Sequence, residues 1–273
     1  MKKLLFAALI AAAAHTGVMS FADDAEKTAP VKLLCIGDSI TEGRGAPGMP
    51  VCYSWRYSLW KKLLDRGANI EFVGFKNTNF DGNVDYPPHK GQTFNNRHSA
   101  WWGYRLRRLA MVDPGRGDQT DFLANIAKAD FDIVMMCLGT NDPNEGPVAF
   151  AHGQNFPEEE WPDHYGTPEN LEKWYTVLIE GLRKKNPKAK FVIMAVQGPW
   201  MDATRNAPFK AIAEKLNTED SPVVYAPRPE NWIAPPDAEG THTHDWVHPN
   251  AKGDDAIADE VVKVLYEKKF LNE

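Results

Sequence analysis

Three short blocks, far apart in the chain, carry the side chains that could do chemistry. Gly37-Asp38-Ser39 ends an apolar run and is followed closely by Gly43 and Gly45. Gly139-Thr140-Asn141-Asp142 ends another, and Asp245-Trp246-Val247-His248-Pro249 stands near the end of the chain. A serine hydroxyl is almost never ionised near neutrality, so it acts as a nucleophile only beside a base. Imidazole accepts and returns a proton around neutral pH, which makes His248 the natural partner for Ser39. Asp245, three residues before His248, can reach the other ring nitrogen, fix the tautomer and stabilise the imidazolium. Pro249 stiffens the backbone beside it.

Each block also has a plainer use. Ser39-Ile40-Thr41-Glu42 fits the S-x-x-E capping box, in which serine and glutamate satisfy free amides at a helix start. Gly43 and Gly45 speak against a continuing helix and suit a backbone that bends and leaves room for a ligand. Asn141-Asp142 could form an Asx-turn, and Asp38 reads as a loop-holding group rather than a proton carrier. His242, His244, Asp245 and His248 have the composition of a zinc site, a reading that leaves Ser39 and Asn141 without a role. His89, His98, His152 and His164 fall in polar stretches and read as surface or supporting groups.

The elements that must position these blocks are legible in the hydropathy pattern. Residues 31–36, 70–74, 133–138, 191–196 and 223–226 are short runs rich in β-branched or large apolar residues and read as strands. Helical patterns fill 55–64, 121–129, 169–185, 208–216 and 254–268, the last with apolar residues at 257, 258, 261, 262, 265 and 266. Strands apolar throughout, alternating with helices, imply a parallel sheet covered on both faces. The expectation is an α/β fold, a three-layer α/β/α sandwich with about five parallel strands. In such sheets ligands bind beyond the carboxyl ends of the strands, where all three blocks fall. Residues 76–96 and 143–168 are long for loops in one domain and are expected to overhang the same edge.

Gly37-Asp38-Ser39, Gly139-Thr140-Asn141-Asp142 and Asp245-x-x-His248-Pro249, in that order, resemble the SGNH hydrolases, also known as GDSL-type esterases and lipases. The resemblance runs from Leu33 to the last helix. It implies the flavodoxin-like fold of that superfamily, with Ser39, Asp245 and His248 catalytic and no cofactor or metal. It also implies an oxyanion hole built from the Ser39 amide, the Asn141 side chain and an amide of the family's second block. That block often reads H-S-G-W, and here His98-Ser99-Ala100-Trp101 puts alanine where glycine is usual. Ala100 is the first choice for the second amide, with Gly103 the alternative. The segment Tyr57-Ser58-Leu59-Trp60, with the H-S-x-W block, is similar to carbohydrate acetylesterases of the superfamily.

Composition narrows the partners. Lys2 and Lys3, an apolar run over residues 4–14 and the small residues Ser20 and Ala22 read as an export signal over residues 1–22, leaving one hydrolase domain over 23–273. The run is too short to span a bilayer, which takes about 20 residues, so a periplasmic or secreted protein without stable membrane insertion is expected. Net charge is −6 and becomes more negative without Lys2 and Lys3, which disfavours nucleic acid. Cys35 and Cys137 lie in apolar runs and read as core residues, whereas the state of Cys52 is open. Nine tryptophans suit a carbohydrate, since aromatic rings cover the apolar faces of sugars. Trp101, Trp102, Trp161 and Trp200 fall near the expected site, with Trp101, Trp102 and Trp200 the substrate-binding candidates. Trp55, Trp60 and Trp174 fall at helical spacing and read as core. The expected substrate is an acetylated saccharide or other short-chain ester. A lysophospholipase, a thioesterase and a non-catalytic glycan-binding module are the rival readings, and the sequence gives no oligomeric state.

Overall fold

A computed structural model describes residues 29–43, 53–80, 82, 84–110, 125–126, 128–142, 165–197 and 203–272. The leader read over residues 1–22, Cys52, Trp161, Trp200 and most of the expected helix over 121–129 lie outside them, as do residues 143–164 of the second long loop.

The strands are β1 (Val31–Gly37), β2 (Ile70–Val73), β3 (Ser99–Ala100), β4 (Ile133–Cys137), β5 (Lys190–Met194) and β6 (Val223–Ala226). They form one parallel sheet in the order β2-β1-β4-β5-β6. Successive residues of a strand face opposite sides, and both sides of β1 are covered: Leu33, Leu34, Cys35 and Ile36 are all at 0% exposure. Leu34 and Ile36 pack with the buried faces of α4 (Pro168–Lys185) and α5 (Ala203–Leu216). Leu33 and Cys35 pack with α2 (Trp55–Asp65) and α6 (Ala251–Glu267) on the other side. Trp55, Trp60 and Trp174 are buried in these layers. The α/β/α sandwich is therefore as the hydropathy pattern predicts.

Among the described residues the sheet has one strand more than the five expected. β2 pairs with the first half of β1, and the chain then leaves and returns as β3, which pairs with Ile36 and Gly37. Two residues are too few to read from hydropathy, yet β3 delivers the segment after it to the end of β1. Strand order reverses between β1 and β4, whose carboxyl ends flank the crevice where ligands of such sheets bind. Loop 76–96 folds partly back on α2, where Tyr86 and Phe94 join Tyr57 in an aromatic cluster.

Two helix starts differ from expectation. α5 begins at Ala203 and runs through Pro208, although proline normally ends or kinks a helix. Its early turn is held by Asn206, whose amide bonds the backbone N and O of Val196 (3.0 and 3.2 Å). α6 begins at Ala251 because Asn250 caps it, accepting from the Gly253 amide at 3.0 Å. Asp254 thus sits inside the helix and is 3% exposed.

Candidate active site

β1 ends at Gly37, and the chain turns at once into α1 (Ser39–Glu42), a helix of four residues. A Cβ on Gly37 would lie 2.5 Å from the Thr41 Cβ and 3.0 Å from the Cys137 carbonyl oxygen, so only glycine lets the turn close against β4. Gly43 ends the helix at φ 84°, a left-handed conformation natural to glycine. Asp38, not Ser39, is the N-cap: its carboxylate accepts from the Ile40 amide at 3.0 Å. The capping box is therefore not formed, and the Ser39 side chain is left for another partner. Burial pushes the Asp38 carboxyl up to about 6, although the Ile40 amide and the nearby His248 draw it down.

That other partner is His248. Ser39 Oγ lies 2.9 Å from His248 Nε2, and His248 Nδ1 lies 2.7 Å from Asp245 Oδ2. A carboxylate only accepts, so Nδ1 carries the proton and Nε2 is the acceptor that faces the serine. Asp245 Oδ1 also takes the amides of Val247 (3.2 Å) and His248 (2.8 Å). Partial burial raises the Asp245 carboxyl, but these bonds from His248 and Val247 outweigh it and hold the group well below the ordinary carboxylate range. The turn is braced from outside by a bridge between Thr243 and Pro249 and by the Trp246 amide donating to Thr243 Oγ1 at 3.1 Å. Base and orienting acid are thus fixed by one tight loop, 209 residues from the serine.

Asn141, after β4, reaches across the crevice. Its Nδ2 donates to Asp38 Oδ2 at 3.2 Å and to the Tyr104 carbonyl at 2.9 Å. Asp142 does not close an Asx-turn on its own block. It accepts from the amides of Leu106 (3.0 Å) and Arg107 (3.5 Å) at the start of α3 (Leu106–Ala110). Burial pushes the Asp142 carboxyl up to about 6 against those bonds.

The Ala100 amide, the first choice for the second oxyanion donor, has a partner inside the fold. Ala100 is fully buried in β3 and its N–H donates to His98 Nδ1 at 3.1 Å. His98 is itself fully buried, not a surface group, and its Nε2 donates to the Thr78 carbonyl at 3.0 Å. Burial drives His98 well below the ordinary histidine range, so it stays neutral and its Nδ1 remains an acceptor. The alternative, Gly103, sits at φ 70°, and its N–H has no hydrogen-bond partner among the described residues. It lies between Trp102, bonded to α1, and Tyr104, bonded to Asn141.

Glu42 has a role that its local motif hides. It is fully buried, pairs with Lys76, and accepts the Trp102 amide on Oε2 at 2.6 Å. Arg56, also fully buried, donates to the carbonyls of Thr41 (2.7 Å) and Glu42 (3.3 Å) at the end of α1. One carboxylate thus ties the serine's helix to the loop that holds Gly103. The signal was distance in sequence: Lys76 and Trp102 cannot be matched to Glu42 without the fold.

Of the tryptophan candidates, Trp101 is held against the core by Phe75, Tyr104 and the Lys76 ammonium. Trp102 faces Phe80, with ring centroids 5.1 Å apart. His242 is engaged away from the serine: it stacks on Trp232 and accepts the Ile233 amide at Nδ1 (3.1 Å). Among the described residues no group of three or more His, Cys, Asp or Glu could hold a metal ion. Cys35 and Cys137 are buried free thiols, and burial pushes Cys35 up to about 12. No described helix is long and apolar enough to cross a membrane.

Comparison with known proteins adds to this geometry. The sequence model of the GDSL-like lipase/acylhydrolases matches residues 33–261. A family 3 carbohydrate esterase from Talaromyces cellulolyticus is 25% identical, with a TM-score of 0.61, over 89% of this chain and 100% of that one. An acetyl esterase mutant determined with acetate ion is 24% identical, with a TM-score of 0.60, over 88% and 100%. A family 3 carbohydrate esterase from Clostridium thermocellum is 19% identical, with a TM-score of 0.60, over 88% and 96%. The last two likenesses concern the fold. No curated protein sequence matches the chain.

Proposed function

The chain belongs to the GDSL-like lipase/acylhydrolase family, and from that membership we propose that it is a serine esterase removing acetyl groups from a saccharide. It is an ester-hydrolysing enzyme by family. The observation that carries the residue assignment is the continuous hydrogen-bond chain Ser39–His248–Asp245. Ser39 Oγ attacks the ester carbonyl carbon while its proton passes to His248 Nε2. The carbonyl oxygen becomes an oxyanion, received by the Ser39 and Gly103 amides and by Asn141, which gives up its longer bond to Asp38. As the tetrahedral carbon collapses, the bond to the alkoxy oxygen breaks and His248 returns the proton to the departing alcohol. Water then attacks the acyl-serine with His248 again as base, and the carboxylic acid leaves with Ser39 restored. Asp245 keeps its charge throughout and stabilises the imidazolium.

The acetyl reading draws support from the Tyr57-Ser58-Leu59-Trp60 segment and the His98-Ser99-Ala100-Trp101 block, which are similar to carbohydrate acetylesterases of the superfamily. The likeness to the Talaromyces carbohydrate esterase supports a sugar as the alcohol. The test is a panel of p-nitrophenyl esters beside acetylated xylan, pectin fragments and sialic acids. kcat/KM on the acetate should exceed that on the octanoate at least about tenfold, the scale on which a small pocket discriminates extra methylenes. Equal or better turnover of the octanoate would move the enzyme to the lysophospholipases or thioesterases.

Glu42 supplies a second check, on the placement of the oxyanion loop. Glu42→Ala frees the Trp102 amide and should lower kcat roughly 10- to 100-fold, the cost of a small misplacement, with KM changed far less. Glu42→Gln still offers Trp102 an acceptor and should keep most of the activity. Steady-state kinetics of the two variants decide it: equal losses would assign the effect to the Lys76 pair instead.

A further inference from the structure

Among the described residues the large apolar side chains left exposed are Phe80 (41%), Val177 (41%) and Trp246 (45%). Val177 is on α4, away from the crevice. The other two are on loops that touch the site, one reaching the end of α1 and the other carrying His248. Trp246 lies between Asp245 and His248. The Phe80 amide reaches the carbonyl of Gly43, where α1 ends, at 3.5 Å, and its ring leans on Trp102.

Trp246 is placed there against its own preference. Its φ is 74°, in the left-handed region where a bulky side chain is an outlier and asparagine or glycine is the comfortable choice. The conformation is enforced: the amides of Trp246, Val247 and His248 are bound by Thr243 Oγ1 and Asp245 Oδ1. The ring gains little burial from this position. An exposed, strained residue on a rigid turn beside reacting groups points to function.

We infer that Trp246 and Phe80 are the two walls of an aromatic rim that receives the apolar faces of the sugar on the alcohol side of the ester. Two separate rings suit a sugar, which offers discrete apolar faces, whereas an acyl chain needs a continuous apolar trough. This inference rests on the saccharide reading of the substrate.

The test compares kcat/KM on acetylated xylo-oligosaccharides and glucose pentaacetate with kcat/KM on ethyl acetate, which has no ring to stack. Trp246→Gly should lower the saccharide-to-ethyl-acetate ratio about tenfold or more, chiefly through KM for the saccharide. Its Tm should hold or rise, because glycine accepts the left-handed backbone. Trp246→Phe should restore most of the ratio. Phe80→Ala should lower it by a smaller factor, and Val177→Ala should leave it at the wild-type value. An unchanged ratio in Trp246→Gly and Phe80→Ala, with a wild type active on the sugars, would overturn the rim alone. A wild type inactive on every acetylated sugar would overturn the saccharide reading and the rim with it. A Trp246→Gly protein of lower Tm would identify the indole as a structural support and contradict the inference.

Discussion

Ser39→Ala and His248→Ala should each fold normally and lose nearly all turnover, on the order of 10⁴-fold or more in kcat. The double variant should be scarcely worse than either single one. Ser39 and His248 are 2.9 Å apart at Oγ and Nε2 and act in one proton transfer, so removing either partner removes the step and the losses do not add. Asp245→Asn tests the third member. An amide cannot stabilise an imidazolium as a carboxylate does, and it can present an N–H to Nδ1, favouring the wrong tautomer. Its loss should therefore be large, although the amides of Val247 and His248 still find an acceptor at that position and the loop keeps its shape. Rates on p-nitrophenyl acetate, with near-UV circular dichroism to confirm folding, measure all four variants. Multiplicative losses in the double variant would mean that serine and histidine serve separate steps.

The next largest effect is expected from Asn141→Ala, which leaves the serine and its base intact. Removing one oxyanion donor costs roughly 100- to 1,000-fold in kcat. Here the same substitution also releases the Tyr104 carbonyl and Asp38 Oδ2, now held by Nδ2 at 2.9 and 3.2 Å. The loss should fall on kcat with KM little changed, since the donor is needed only as charge develops on the oxygen. Asn141→Asp would place a carboxylate in the same space and should be no better, because it repels the oxyanion and Asp38 alike. Near-wild-type kcat in a folded Asn141→Ala protein would reduce Asn141 to a brace between the β4 turn and Tyr104.

The frame of the molecule was open to a reader of the sequence because its physics is local. Cys35 and Ile36 could only be strand core, the stripe ending at Leu265 and Tyr266 could only be an amphipathic helix, and parallel pairing brings the three blocks to one edge. Ser39, Asn141, Asp245 and His248 are within that reach, since each ends a strand or precedes the last helix. What escaped was settled by contacts between distant residues. Asp38 takes the cap that Ser39-x-x-Glu42 resembles, because Lys76 and the Trp102 amide claim the Glu42 carboxylate. The Ala100 amide is lost to a buried histidine that its polar neighbours made look exposed. Pro208 hides the first turn of α5, which a side chain two residues earlier holds in place. Trp246 carries no mark in sequence at all, because its left-handed backbone and its exposure belong to the loop and not to the residue type.

The nucleophile can be identified without reference to rates. Diethyl p-nitrophenyl phosphate should inactivate the enzyme with one diethylphosphoryl group per chain, and peptide mapping by mass spectrometry should place that group on Ser39. The extent of labelling should track the activity lost, and His248→Ala, lacking the base, should label far more slowly. Full inactivation with Ser39 unmodified, or stoichiometric labelling of another residue, would contradict the assignment of Ser39 as the attacking group.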